Sequence, residues 1–312
     1  MPWKQSYTIS DETSLRDDQV HWPDGNRCCV SVVVDLSVAR GPDGTRAADL
    51  LHPDAQFGAH DGLDQLLAVL KHFGIVATFA VPAVIAQLRA DRIRALLADG
   101  HEIAANGLKH EDVSGLSAAE EKARLDLATG ILTKVTGHKP TGWFSLPRQD
   151  DPFAGGTISP HTMDLLIDAG YEYMGNGLAD DIPHYWVTDF ASRRSILTLP
   201  YYYHFDDQWF LMFPRKGTGL ERADELFRNW RAEFNAQYKR GRHFSMTLHP
   251  GAVGWCNRMQ LLEDFFTHTR NFPGLWNPTS AACARWWKQT YPASSHLNLE
   301  PSIWRDYPGS LS

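Results

Sequence analysis

Short, continuous runs of apolar and β-branched residues recur along the chain and predict buried strands. A run without polar alternation indicates a strand that is covered on both faces, as in a parallel sheet. The predicted strands cover residues 28–37, 75–81, 101–106, a short segment around Trp143, 171–176, 195–203 and 243–249. The chain thus supplies about seven strands for one sheet.

Between these runs, apolar residues recur at helical spacing and predict amphipathic helices. The helices cover residues 61–73, 82–97, 117–136, 159–170 and 221–239. Their ends carry the expected signals, such as the capping box of Ser117 and Glu120 and the terminating Gly74. Strands that alternate with helices predict βαβ units, and the strand count favours an α/β barrel over an open sheet.

The whole chain is expected to form a single domain over residues 1–312. Residues 1–26 lack a regular pattern and predict an irregular N-terminal arm, and residues from about 291 to 312 predict a C-terminal tail. These ends carry large aromatic side chains, which indicates that they pack against something, such as another subunit. The tryptophans concerned are Trp3, Trp22 and Trp304.

Composition and charge exclude several classes of protein. The chain has 312 residues, is 43% hydrophobic and carries a net charge of −7, so it can build a core but offers no basic run. No apolar stretch reaches the ~18 residues of a transmembrane helix, and the polar N-terminus does not resemble a secretory signal. We therefore expect a cytoplasmic protein that binds neither nucleic acid nor membranes.

Polar residues end several of the predicted strands. Asp35 ends the first apolar run, Asn106 and His110 follow the third, and His249 ends the last. Catalytic residues of α/β barrels lie at the carboxyl ends of the strands, so these side chains should converge on one mouth. Residues 38–60 form a long insertion after the first strand, which would serve either as a lid or as a subunit contact.

Asp35 and His249 are the candidate catalytic pair. A charge that interrupts a core strand must be paired, hydrogen-bonded or functional. A carboxylate and an imidazole that face each other can take a proton from water and give one to a leaving nitrogen. A structural acid at position 35 and structural histidines at positions 249 and 110 are the alternatives that stay open.

Four segments, in this order, resemble the motifs of the polysaccharide deacetylase (NodB-homology) superfamily. They are residues 32–37 (VVVDLS), 100–112 (GHEIAANGLKHED), 142–147 (GWFSLP) and 247–251 (TLHPG). The resemblance implies a hydrolase with Asp35 as the catalytic base and His249 as the catalytic acid.

A further stretch, residues 159–186, is similar to a narrower group within that superfamily. This group holds the metal-independent allantoinases and their cyclic-imide and peptidoglycan-deacetylase-like relatives. Asp180, Asp181, Pro183 and Trp186 carry the similarity. The resemblance implies a distorted (β/α)7 barrel and a homo-oligomer, usually a tetramer.

The positions that bind metal in the superfamily are altered in this sequence. Metal-dependent members use one Asp and two His, and the matching residues here are Ser37, Asn106 and His110. Neutral Ser and Asn oxygens are poor zinc ligands, so we expect no metal cofactor, with zinc as the alternative. An arginine of the third motif is replaced by Phe144, and Arg148 is a candidate to take its part in substrate binding.

The leading hypothesis is a hydrolase that opens a C–N bond in a small cyclic amide, imide or ureide. Such an activated bond suits a site without a metal. Asn106 and His110 would hold the carbonyl oxygen, and Trp143, Phe144 and Trp186 would wall a pocket for a planar ring. The alternatives are a metal-dependent N-deacetylase of a sugar polymer or peptidoglycan, and a non-catalytic barrel.

Overall fold

One sheet of nine strands forms the centre of the molecule within the residues that the structure describes. The computed structural model describes residues 15–148, 158–177, 180–189, 192–202, 205–208 and 223–297. The strands are β1 (Cys28–Asp35), β2 (Thr78–Val81), β3 (Glu102–Ala105), β4 (Gly142–Trp143), β5 (Tyr173–Gly177), β6 (His184–Asp189), β7 (Arg194–Pro200), β8 (His243–Leu248) and β9 (Leu275–Trp276). All seven predicted strands are present.

The sheet is almost entirely parallel, as the sequence predicts. Its order is β6-β7-β5-β4-β3-β2-β1-β8, with β9 beside β1. Among the described strand pairs, β6 and β7 form the antiparallel one. The sequence did not predict β6, because the Asp- and Pro-containing segment before it is typical of a loop. The mostly parallel sheet with its surrounding helices is the distorted α/β barrel that the sequence predicts.

Helices connect most of the strands. In the described residues they are α1 (Ala47–Leu50), α2 (Pro53–Phe57), α3 (Leu63–Phe73), α4 (Ala83–Leu88), α5 (Ala90–Ala98), α6 (Ala118–Thr136), α7 (Thr162–Asp168), α8 (Ala223–Arg240), α9 (Pro250–Val253), α10 (Cys256–Thr269), α11 (Ser280–Thr290) and α12 (Ala293–His296). The helix predicted over residues 82–97 is divided at Arg89, where φ is −127° and ψ is 39°. None of the helices in the described ranges combines the length and apolarity needed to cross a bilayer.

Strand β1 shows why its sequence is continuously apolar. Val30, Val32 and Val34 pack in the cluster between the sheet and the helices, whereas Cys29 and Val33 pack in a second cluster. Successive side chains of a strand point to opposite faces, so each face of β1 has its own apolar covering. Asp35 is the next residue on the face of Cys29 and Val33, at the carboxyl end of the strand.

The described part of the N-terminal arm packs against this same chain. Trp22 is buried in the second cluster, with its ring 5.9 Å from that of Trp276 and 5.6 Å from that of Trp287. Its indole N–H donates to the carbonyl oxygen of Gly241. The expected packing of the arm is therefore found within this chain for Trp22, and a contact of the arm with another subunit stays a prediction. The other two terminal tryptophans lie outside the described residues.

Substitution of Gly175 in β5 tests the packing of the second cluster. A Cβ at this position would overlap the buried ring of Phe144, whereas a Cβ at Gly130 in α6 would meet no atom within 4 Å. We expect Gly175→Ala to lower the free energy of unfolding by about 1–3 kcal/mol. Gly130→Ala should raise it by up to ~1 kcal/mol, because alanine favours the helix. Urea unfolding of both variants checks this, and equal stability of the two would contradict the described packing.

Candidate active site

The carboxylate of Asp35 is buried and held in one orientation at the end of β1. Its Oδ1 accepts hydrogen bonds from the backbone N–H of Ser37 at 2.7 Å and from Nδ2 of Asn106 at 3.0 Å. Asn106 follows β3, and its own Oδ1 accepts from the N–H of Leu146 at 3.3 Å. These contacts fix Oδ1 and leave Oδ2 for another partner.

That partner is His249, which follows β8. Because Val34 of β1 pairs with Leu248 of β8, the residues after them come side by side. Nε2 of His249 lies 3.4 Å from Oδ2 of Asp35. The two groups form an ion pair, but Nε2 has no hydrogen-bond partner among the described residues. The predicted catalytic pair is therefore brought together, with one N–H of the imidazole unengaged.

Two further acids, Asp206 and Asp207, lie behind His249 and were not recognised in the sequence. Nδ1 of His249 is 2.7 Å from Oδ1 of Asp207, and the backbone N–H of His249 donates to the same carboxylate. Oδ1 of Asp206 lies 3.5 Å from Nδ1. An Nδ1–H bond to a carboxylate orients the ring and stabilises the imidazolium, so Nε2 faces Asp35. In the sequence, the two adjacent aspartates were the signal that could have indicated this site.

Charges in this cluster raise the pKa of His249 and lower the pKa of Asp35. Burial would lower the pKa of His249, but the negative charges of Asp206 and Asp207 outweigh it and raise that pKa well above its usual value. Burial would raise the pKa of Asp35, but the adjacent His249, with a smaller effect of the hydrogen bond from the Ser37 N–H, lowers it. Asp35 is therefore ionised and His249 protonated over a wide pH range, as the base and acid roles require.

The residues at the altered metal positions use their polar atoms in hydrogen bonds within the protein, in a way that does not fit a metal ion. Nδ1 of His110 lies 2.6 Å from the Ser37 hydroxyl, and its Nε2 lies 2.5 Å from the carbonyl oxygen of Leu146. A carbonyl oxygen can only accept, so Nε2 carries the proton and Nδ1 accepts from Ser37. Burial lowers the pKa of His110, which keeps this ring neutral. The Asn106 oxygen is bonded to Leu146, so no open set of ligands exists at these positions.

Asp206, Asp207 and His249 also lie close enough to share an ion. Their polar atoms are instead satisfied by protein groups. Asp206 accepts from the hydroxyl of Tyr201 at 2.8 Å and from the N–H of Gln208 at 2.9 Å. Asp207 accepts from two N–H groups of His249. Because these hydrogen bonds already use the carboxylate oxygens and Nδ1 of His249, this cluster is better described as a group that orients His249 than as a metal centre.

A cavity that opens to solvent at one end leads to the Asp35–His249 pair. We call it the active-site cavity. Its walls come from β1 and the loop after it, α2, α3, α4, α5 and α9, with Pro147 and Gln208 near the pair. Much of the insertion over residues 38–60 lines it, and added Cβ atoms at Gly58 and Gly62 would overlap the backbone of Pro250 and Gly251. The insertion therefore forms a wall over this chain's own site.

The aromatic residues predicted as pocket walls lie elsewhere. Trp143 and Trp186 belong to the cluster between the sheet and the helices, and Phe144 belongs to the second cluster, with Cys29 and Val33. None of the three is among the residues that line the active-site cavity. Their contact with substrate stays a prediction, whereas their packing is that of core residues: the ring of Trp143, for example, lies edge-on to Tyr171.

Arg148 is one of the most deeply buried side chains of the described part. Its Nη2 lies 3.6 Å from Oδ2 of Asp112. Its charge contributes to the lowered pKa of His110, after the larger effect of burial. Arg148 thus helps to keep His110 neutral, and its predicted part in substrate binding stays a prediction.

Comparison with known proteins shows which family this chain is similar to. The sequence profile of the polysaccharide deacetylase family matches residues 53–174. This match confirms the predicted resemblance, and with it the prediction of a hydrolase that acts on C–N bonds.

Two curated relatives and one solved structure illustrate the similarity. The peptidoglycan deacetylase of Helicobacter pylori is 22% identical over 70% of this chain and 81% of its own length. A peptidoglycan deacetylase-like protein of Gibberella zeae is 23% identical over 66% of this chain and 69% of its own. The structure of Puue allantoinase superimposes with a TM-score of 0.75 at 23% identity, over 89% of this chain and 95% of that one. The structural likeness supports the fold.

The protonation of His249 gives the first test of the site. We expect its imidazole to stay charged well above neutral pH, and Asp207→Asn to lower its pKa, because a negative charge beside the imidazolium is removed. NMR titration of the His249 ring in both proteins measures this shift. Asp126→Asn, an exposed substitution on α6, serves as the matched control. An unchanged pKa in Asp207→Asn would contradict the described contact.

Proposed function

We propose that this chain hydrolyses a C–N bond in a small cyclic amide, imide or ureide without a bound metal ion. The single observation that carries the proposal is the pair of Asp35 and His249 at the inner end of a walled cavity, 3.4 Å apart. At the altered metal positions, Ser37 and His110 bond each other, and Asn106 bonds Asp35 and Leu146 instead. Allantoinase, a protein of similar fold, supports a ring ureide as one substrate class.

In the proposed reaction, Oδ2 of Asp35 accepts a proton from a water molecule that attacks the ring carbonyl. Oδ1 stays bonded to Ser37 and Asn106, so the carboxylate does not need to reorient. A carboxylate with a lowered pKa is a weak base, and the rate then depends on how electrophilic the carbonyl is. Imides and ureides have more electrophilic carbonyls than an acetamide does, which favours them as substrates.

His249 then supplies the proton for the leaving nitrogen. Its Nε2–H faces Oδ2 of Asp35 at 3.4 Å without a hydrogen bond, and Asp207 holds the other ring nitrogen. As the C–N bond breaks, the nitrogen takes this proton and the ring opens to a carboxylic acid. The proton taken up by Asp35 can pass to Nε2 across the 3.4 Å that separate them, which restores both groups.

Gln208 is our candidate for holding the carbonyl oxygen during the attack. Sequence reasoning gave this role to Asn106 and His110, but their N–H groups point to Asp35 and Leu146, and neither residue lines the cavity. Gln208 does line it, is buried, and has an Nε2 without a hydrogen-bond partner in the described part of the chain. A buried, unpaired donor beside the reacting pair suits a negatively charged oxygen that forms there.

A metal-dependent deacetylase of peptidoglycan or another sugar polymer is the second candidate. The names of the curated relatives favour it. Against it stand the hydrogen bonds that Ser37, Asn106 and His110 make within the protein, which leave no open ligand set. A non-catalytic barrel, the third hypothesis, gives no reason for an imidazolium that faces a buried carboxylate at the end of a cavity.

Substitution of Asp35 tests the proposal directly. We expect Asp35→Asn to reduce kcat by roughly 10²- to 10⁴-fold on succinimide, hydantoin or allantoin, because the base is removed while the shape is kept. The exposed Asp43→Asn is the matched control. Chelator-treated protein should keep its activity, and elemental analysis should find far less than one zinc per chain. Loss of activity with chelator, or full activity in Asp35→Asn, would contradict the proposal.

Gln208→Met tests the proposed oxyanion contact. It removes the amide donor while it keeps a similar volume, so kcat should fall by roughly 10²- to 10³-fold with little change in KM. The reason is that the donor acts mainly on charge that develops during the attack. Steady-state kinetics on the same substrates measure the split. An unchanged kcat would assign the carbonyl oxygen to another group.

A further inference from the structure

The active-site cavity has two chemically different ends. Asp35 and His249 lie at its buried inner end, as described above. Arg89 and Arg92 also line it, are only half-buried, and border a second, more open depression on the outer surface. They therefore mark the outer end of the cavity, near its mouth.

Arg89 is held at this end by the backbone. It lies at the break between α4 and α5, and its Nη1 donates to the carbonyl oxygen of Ala59 at 3.3 Å. No carboxylate is paired with it among the residues that the structure describes. Partial burial and the nearby charge of Arg92 lower the pKa of Arg89, which shows that its surroundings do not compensate its charge.

Two further guanidinium groups line the cavity. Nη2 of Arg40 donates to Oδ2 of Asp54 at 2.6 Å, and Nη2 of Arg92 donates to Asp64. In each of these arginines, Nε is buried and has no hydrogen-bond partner in the described part of the chain. The three guanidinium groups of this wall thus face two carboxylates, so the wall carries one positive charge in excess, together with unused N–H donors. The inner end is negative instead, because Asp206 and Asp207 lie behind the pair of Asp35 and His249.

An unpaired and partly desolvated guanidinium is unfavourable unless something compensates its charge. A neutral ring would leave Arg89 in that state. A carboxylate on the ligand would pair with it, because the planar fork of N–H donors matches the two oxygens of a carboxylate. A positive wall near the mouth would also attract an anionic ligand into the cavity.

We infer that the substrate carries a carboxylate, which Arg89 binds with help from Arg92 while the ring amide lies at Asp35 and His249. The assignment of the ring to the inner end rests on the proposed function. The assignment of the carboxylate to the outer end rests on the three arginines and their two partners. The substrate class is therefore a cyclic amide, imide or ureide with an acidic side chain.

The experiment compares hydantoin-5-acetate with its methyl ester, which has the same ring and no charge. We expect the native protein to show a higher kcat/KM for the acid. Arg89→Gln should reduce the ratio of the two kcat/KM values by roughly 10- to 100-fold, because a charged hydrogen bond is lost. Arg92→Gln should reduce it less. Arg94→Gln, whose arginine pairs with Asp91 outside the active-site cavity, should leave the ratio unchanged.

Arg89→Lys keeps the positive charge but removes the planar fork of N–H donors, so it should recover only part of the preference for the acid. Thermal melting of each variant shows whether it is folded. Equal kcat/KM for acid and ester in the native protein, or an unchanged ratio in folded Arg89→Gln, would overturn the inference while the proposed ring hydrolysis stands.

Calorimetry separates the inference from the proposed function if neither hydantoin is hydrolysed. Succinate should bind the native protein more tightly than succinamide does, and Arg89→Gln should lose that difference. This result would support the carboxylate site even though the proposed reaction had failed. Tighter binding of inorganic phosphate than of succinate would overturn the assignment to a carboxylate.

Discussion

The site depends on one buried ion pair, that between Asp35 and His249. Removing two charges from water is costly, so such a pair persists only where hydrogen bonds satisfy both partners. Here Ser37 and Asn106 bind one oxygen of Asp35, and Asp207 binds the far side of the imidazole. The register of β1 with β8 sets the distance between the two groups. Every other feature of the site either holds this pair or gives access to it.

The same pair is the basis of the proposal that the site works without a metal ion. In a metal site, the cation lowers the pKa of a bound water and draws charge from a carbonyl. In this chain a positive charge is present as the His249 imidazolium, stabilised by Asp206 and Asp207. His110 is neutral and bonded to Ser37, so it does not compete for Asp35. The positive charge next to the base is therefore supplied by a protonated side chain.

Much of the fold and the proximity of Asp35 and His249 could be predicted from the sequence, because apolar runs mark buried strands and parallel strands end on one side. The roles of the two residues as base and acid stay a prediction. Asp206 and Asp207 were missed, since their segment has no periodic pattern and the contact with His249 joins residues 42 positions apart. Trp143, Phe144 and Trp186 were expected in the pocket because they lie in motif segments. Which face of a strand a side chain takes depends on register, and the packing placed all three in the core.

The pH dependence of kcat/KM in metal-free protein tests the central claim most directly, when it is set beside the NMR titration of His249. The account predicts activity without added metal, and an alkaline limb that coincides with the deprotonation of His249. Since Asp207 raises the pKa of His249, the limb should move to lower pH in Asp207→Asn, together with the NMR pKa. Activity that appears only when a divalent metal is added, or an alkaline limb whose midpoint differs from the NMR pKa of His249, would contradict the account.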